Sequence, residues 1–166
     1  PANVQLTGAE IELIGMDSKE FLLKNALREV SDEYEFILID CPPSLNVLTL
    51  NSLSAADSII VPVQCEYYAL EGLSQLVYTI ELVRDRLNPG LTIDGLVLTM
   101  YDSRTKLSQD VAENVRANSG YHVYKTQIPR NVRLAEAPSY SMPIIKYDPI
   151  CAGSMAYRGL AREIIR

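Results

Sequence analysis

An α/β fold, with a mostly parallel sheet flanked by helices on both faces, is what this 166-residue sequence predicts. Three observations lead there. Short apolar runs alternate with longer segments whose apolar residues recur at helical spacing. Several of the short runs are apolar on consecutive residues, as in strands buried on both faces. Each run also ends in polar or proline-marked residues, the position where open parallel sheets place their ligands.

Taken in order, Gly8–Ser31 has a helical pattern carried by Ile11, Ile14, Phe21, Leu22, Leu23, Ala26, Leu27 and Val30. Asp17 or Ser18 would cap its second helix. Tyr34–Asp40, YEFILID, is predicted to be a buried strand ended by Cys41-Pro42-Pro43. A helix capped by Ser44 is expected over Ser44–Leu53. Ser58–Gln64, SIIVPVQ, is a second strand, in which Pro62 departs from a clean central strand. Ala69–Leu87 is helical and stops at Asn88-Pro89-Gly90. Ile93–Met100 is a third strand, followed by a helix from about Leu107 to Asn118. His122–Ile128 is a fourth strand, Pro129–Pro138 a loop or short helix, and Gly153–Ile165 a closing helix. The four strand tips are then Asp40, Gln64-Cys65-Glu66, Met100-Tyr101-Asp102 and Pro129-Arg130-Asn131, and they should line one edge.

Bulk composition narrows the class. Forty-eight per cent hydrophobic and 22% charged residues are ordinary for a globular domain. No apolar run approaches the ~18 residues of a membrane-spanning helix, and PANVQLTGAEIE lacks the pattern of a signal peptide. Cys41, Cys65 and Cys151 form neither a CxxC pair nor an even set, which argues against a disulfide framework or zinc site and for a cytoplasmic setting. The net charge of −6 hides an asymmetry. Residues 1–103 carry 5 Lys/Arg against 16 Asp/Glu, whereas residues 104–166 carry 10 against 5. A basic second half points to an anionic partner, or to solvated helix faces that happen to be basic.

An apolar strand ending in an acid is also the form of a Walker B element, whose carboxylate holds Mg²⁺ beside nucleotide phosphates. The same Asp equally suits a helix cap. The longer strings are more specific: DCPPSL from Asp40, VPVQCEYYALEGL from Val61, LTMYDSRTKLS from Leu98 and IPRNVRLAEAPSYSMPI from Ile128. In this order and spacing they resemble the ParA/Soj branch of the deviant-Walker P-loop ATPases, and with the opening PANVQLTGAEIEL the resemblance covers essentially the whole chain. The departure is at the start. None of the eight glycines forms GxxxxGK[ST], the loop that cradles phosphates. The expectation is therefore a single partial P-loop ATPase domain over residues 1–166, the C-terminal two-thirds of such a domain, with the P-loop upstream. A raw strand edge, and with it self-association or reduced solubility, is expected to follow.

The resemblance implies roles for the remaining positions. Asp40 matches the acid that holds Mg²⁺ through water, and Met100, Pro129, Arg130 and Asn131 match positions around adenine and ribose. Ordinary loop packing is their alternative role. Gln64 and Glu66, at another tip, are candidates for supporting the site or for a dimer interface, with a structural role as the alternative, and Asp102 lies beside the pocket without an assigned contact. Arg104, Arg133, Arg158 and Arg162 are candidates for DNA contact. His122, alone of its kind, reads as a strand filler and the ten tyrosines as packing or interface residues. Cys41 has no His partner to support a thiol nucleophile. For the intact protein the resemblance implies ATP and Mg²⁺, a homodimer, non-specific DNA, a ParB/Spo0J-type partner, no membrane, and a cytoplasmic, nucleoid-associated location. This chain is expected to be inactive as an ATPase. The rival reading is a non-enzymatic DNA- or partner-binding module.

Overall fold

The computed structural model describes residues 6–41 and 46–165. They form two compact units, one drawn from residues 6–41, 46–59 and 77–92, the other from residues 60–76 and 93–165. In chain order the elements are α1 (Leu6–Leu13), α2 (Leu22–Leu27), α3 (Val47–Ala55), β1 (Ser58–Gln64), α4 (Ala69–Arg86), β2 (Thr92–Thr99), α5 (Lys106–Asn118), α6 (Val132–Glu136), α7 (Ile144–Tyr147) and α8 (Ala152–Ile164). The fold is a parallel sheet flanked by helices, as the alternation predicts.

In the first unit the long helical stretch is broken. Between α1 and α2 stands a 3-10 turn, Lys19–Phe21, and Ser18 before it adopts φ 53° without a side-chain cap bond. Asn51 of α3 joins these pieces. Its Oδ1 accepts the Leu23 N–H at 3.0 Å, and its Nδ2 donates to the carbonyls of Lys19 (2.7 Å) and Val47 (2.9 Å). α3 begins later than expected because Asn46, not Ser44, is its cap, accepting the Thr49 N–H at 2.9 Å. Ser44 lies outside the described residues. Asn88, in the turn after α4, is buried and donates to the carbonyls of Leu53 and Ala56, satisfying the carboxyl end of α3.

The strand expected over Tyr34–Asp40 does not form. No strand among the described residues pairs with it, and Tyr34, Phe36, Ile37 and Leu38 are exposed, Leu38 to 88%. The reason is general: a strand needs a neighbour to accept and donate its main-chain hydrogen bonds, and apolar sequence alone supplies none.

In the second unit β1 and β2 run parallel, with the Cys65 N–H donating to the Thr99 carbonyl at 2.9 Å. Main-chain groups alternate sides along a strand, so Val61 and Val63 share that side while Pro62 and Gln64 turn theirs to the open edge. Pro62, without an N–H, stands where no ladder bond is lost. On the other flank of β2 the predicted fourth strand is interrupted. Leu96 accepts from Tyr124 and Leu98 accepts from Ile128, so two steps along β2 match four along its neighbour. The surplus residues form a bulge, and parallel pairing survives only as bridges at Leu96–Val123 and Tyr101–Pro129. Glu163 of α8 takes up the bulge, accepting the N–H groups of Lys125 at 2.8 Å and Thr126 at 2.9 Å and the Thr126 hydroxyl. This edge is thereby protected, whereas β1's free edge has no partner among the described residues. Val97, Tyr124, Ile128 and Leu160 form the core beneath α8, with Ile60, Leu134, Ala156 and Ile164 packed against them.

Candidate functional site

The second unit brings three of the four predicted tips together. β2 is followed by Met100, whose φ of 53° lies in the left-handed region that side chains with a Cβ rarely adopt. This turn shifts the register by one residue. Leu96 and Leu98 face the neighbouring segment, but beyond the kink it is Tyr101 that pairs, donating to Ile128 at 3.1 Å and accepting from Arg130 at 3.0 Å. Pro129 sits in that bridge and Asn131 caps α6, its Oδ1 accepting the Arg133 N–H at 2.9 Å. A strained, bulged strand end is the kind of feature that accompanies binding sites.

Below the tips, α5 ties β1 to β2 through one buried hydroxyl. Ser108 Oγ donates to the Cys65 carbonyl and accepts the Asp102 N–H, both at 3.2 Å. Asp102 is held from the other side by Arg104: its Oδ1 accepts the Arg104 N–H at 3.0 Å and Nε at 2.9 Å, and its Oδ2 accepts Nη2 at 2.8 Å. Arg130 Nη2 reaches Glu66 Oε1 at 2.9 Å, joining the third tip to the first. Around this edge opens a cavity of about 1060 Å³, lined by the free edge of β1, by Tyr67, Tyr68, Leu73 and Leu76, and by Met100, Asp102, Ser108 and Arg130. Every lining residue belongs to the second unit.

Electrostatics follow the contacts. Hydrogen bonds from the Arg104 guanidinium, then from its N–H, hold the Asp102 carboxyl down at about 2, with lesser attraction from Arg130. A carboxylate depressed in the fold favours it above the ordinary aspartate range, and the contribution fades as pH falls toward 2. In a carboxyl-carbon NMR titration Asp102 is therefore expected to titrate near pH 2, and in an Arg104→Ala variant to return toward 4; an unchanged midpoint would refute the clamp. Burial pushes the Cys65 thiol up, only partly opposed by Arg116, so it is a wall and not a nucleophile.

The predicted residues thus fall into three groups. Met100 and Arg130 border one cavity, with Pro129 and Asn131 flanking Arg130 in the chain. Asp40 lies in the first unit, exposed on the extended segment that precedes residues 42–45, which are outside the described residues. Of the candidate DNA contacts, Arg104 is paired with Asp102, and Arg133 with Glu136 at 2.9 Å and Asp148 at 3.5 Å. Arg158 and Arg162 lie exposed on α8 and enter no ion pair among the described residues. Sequence reasoning missed Ser108; its only signal was Thr105 three residues ahead, whose hydroxyl caps α5. Glu163 gave no signal at all, because the amides it serves are 37 and 38 residues away.

Among the described residues, no group of three or more His, Cys, Asp or Glu is placed to hold a metal ion, and no helix is long and apolar enough to cross a membrane.

Comparison with known proteins agrees on the relatives. The sequence model of the family described as "AAA domain" matches residues 1–93. The chain is 53% identical over 166 residues to the chromosome partitioning protein ParA of Myxococcus xanthus, covering all of this chain and 59% of that protein. It is 56% identical over 164 residues to the sporulation initiation inhibitor protein Soj of Bacillus subtilis, covering 99% of this chain and 65% of the relative. Among solved structures, cobyrinic acid a,c-diamide synthase of Mycobacterium smegmatis with bound ADP and magnesium superposes with a TM-score of 0.83 at 38% identity, over all of this chain and 61% of that one. The chain therefore spans about three-fifths of the length of the relatives it matches.

Proposed function

Because the chain belongs to the ParA/Soj family of chromosome-partitioning ATPases, we propose that it supplies the base-binding side of a magnesium–ATP site in a protein that dimerises, associates with DNA without sequence preference and hydrolyses ATP under the influence of a ParB/Spo0J-type partner at the cytoplasmic nucleoid. The observation that carries this reading is the cavity at the strand tips, bordered by the left-handed Met100 and by Arg130.

The residues fit the group unequally. Around the cavity, apolar side chains and the hydrogen-bonding tips of three chain segments offer a base both a flat wall and polar edges. The glycine-rich GxxxxGK[ST] cradle for phosphates does not occur in this sequence. Asp40, a single exposed carboxylate, suits magnesium held through its water shell and not direct coordination by a cluster. When bound, Mg–ATP supplies the phosphoryl group transferred to water. This chain's own residues orient the base: Met100 and Arg130 border the cavity, and the Tyr101–Pro129 bridge and the Asn131 cap hold the chain on either side of Arg130. DNA association falls to the arginines of residues 104–166, among which Arg158 and Arg162 enter no ion pair among the described residues, and weakens steeply with salt.

Residues 1–166 alone are expected to turn over ATP no faster than a protein-free control, because electrostatic stabilisation of the transferred phosphoryl group is the larger part of such catalysis. They are still expected to take up adenosine weakly, seen as a shift of the Met100 methyl signal in an NMR titration. Magnesium-dependent hydrolysis would overturn the first expectation, and an unmoved Met100 signal the second.

A further inference from the structure

Building on that reading of the strand-tip edge, we propose that Arg130 forms a phosphate-ester subsite held closed by Glu66, which a ligand must displace. The arginines at this edge are occupied differently. Arg104 is engaged by both oxygens of Asp102 and is bound to it through its own main chain as well. The Arg130 side chain makes a single polar contact among the described residues, Nη2 to Glu66 Oε1, between side chains 55% and 53% exposed, whereas the Asp102 side chain is 17% exposed. Glu66 is therefore the partner more easily released, since an exposed, singly bonded ion pair is held by little free energy.

A phosphate ester presents the same pair of acceptor oxygens to a guanidinium as a carboxylate does. Ligand and Glu66 compete for one donor face. Position adds to this. Glu66, Asp102 and Arg130 all border the cavity, so an anion entering it meets the Arg130–Glu66 pair at the wall. Asp102 also feels the Arg130 charge, which places the second carboxylate in the same field. Glu66 thus keeps the edge close to neutral until a polyanion arrives, and the affinity measured for any phosphate includes the cost of moving it aside.

The test titrates residues 1–166 with inorganic tripolyphosphate and, separately, with a short random-sequence duplex. Glu66→Gln is expected to tighten tripolyphosphate roughly two- to fivefold, and Glu66→Gln/Arg130→Gln to lose that gain. Glu113→Gln, which removes an exposed carboxylate from α5, controls for net charge and should leave the constant unchanged. A gain with both probes extends the subsite to nucleic-acid backbones, and a gain with tripolyphosphate alone restricts it to a nucleotide's phosphate tail. The proposal is overturned if Glu66→Gln behaves as Glu113→Gln does, or if its gain survives loss of Arg130. The adenosine titration above contains no phosphate, so failure of the base-site reading and failure of this subsite are read from different experiments.

Discussion

Replacing Gly95 by alanine is expected to destabilise the chain by about 2–3 kcal/mol and to lower its melting temperature by roughly 5–10 °C. Gly95 stands in the middle of β2, against the segment that follows α5. A Cβ added there would lie 2.7 Å from Tyr124 Cε2 and 2.9 Å from His122 Cδ2. His122 is exposed and can move, but the Tyr124 ring does not yield easily. Tyr124 is 2% exposed, packs edge to face with His122, and donates its hydroxyl to the Asp94 carboxylate, so rotation of the ring would break a half-buried hydrogen bond. Burial, then that bond to Asp94, pushes the Tyr124 phenol well above its ordinary pKa, which keeps it a donor at any working pH. Gly90→Ala is the control: its added Cβ would meet only Asn88 Oδ1, at an ordinary 3.8 Å, and should move the melting temperature little. Equal melting temperatures for the two variants would show that the contact at Gly95 relaxes at no cost.

Asn51→Ala is the second large effect, a loss of about 2–3 kcal/mol followed by urea unfolding. The side chain is 4% exposed and serves three partners from three places in the chain. Alanine would strand the Leu23 N–H and the Lys19 carbonyl, and only the Val47 carbonyl would keep its helical bond. Because α2 and the turn before it meet α3 through these bonds, amide exchange should quicken at Leu23 and its neighbours before it does in α8. Uniform acceleration, or none, would contradict the role assigned to Asn51.

Much of the fold could be read from the residues because its signals are local. The helical spacing of Leu70, Leu73, Leu76, Val77, Ile80 and Val83 and the stop at Asn88-Pro89-Gly90 place α4 to within a residue. SIIVPVQ is β1 to the residue, and even Pro62 is accounted for once the open edge is seen. YEFILID carries as strong an apolar pattern as β1 and yet has no strand partner among the described residues, because pairing is a property of two segments and the pattern describes one. The His122–Ile128 run fails in a different way. Its apolar residues are in place, but two of its amides answer to Glu163 at the far end of the chain, and the ladder yields to them.

The candidate site divides along the same line. Polar tips after apolar strands were visible, so Met100, Arg130, Glu66 and Asp102 could be named in advance. The left-handed turn at Met100 had no signature, since methionine is a residue that avoids it. Nor did the basic second half announce how its charge is distributed. Asp102, Glu66 and Glu136 occupy three of its arginines, leaving Arg116, Arg158 and Arg162 without an ion pair among the described residues.

By itself the sequence determined the class of fold, the order of its elements and the residue types gathered at the strand ends, since these depend on spacing and on turn chemistry within a few residues. Tertiary structure alone decided which apolar run becomes a strand, where β2 kinks, and which cations keep their charge for a ligand. Main-chain pairing and ion pairing join groups far apart in the chain, and their free energy depends on distances that no local pattern encodes.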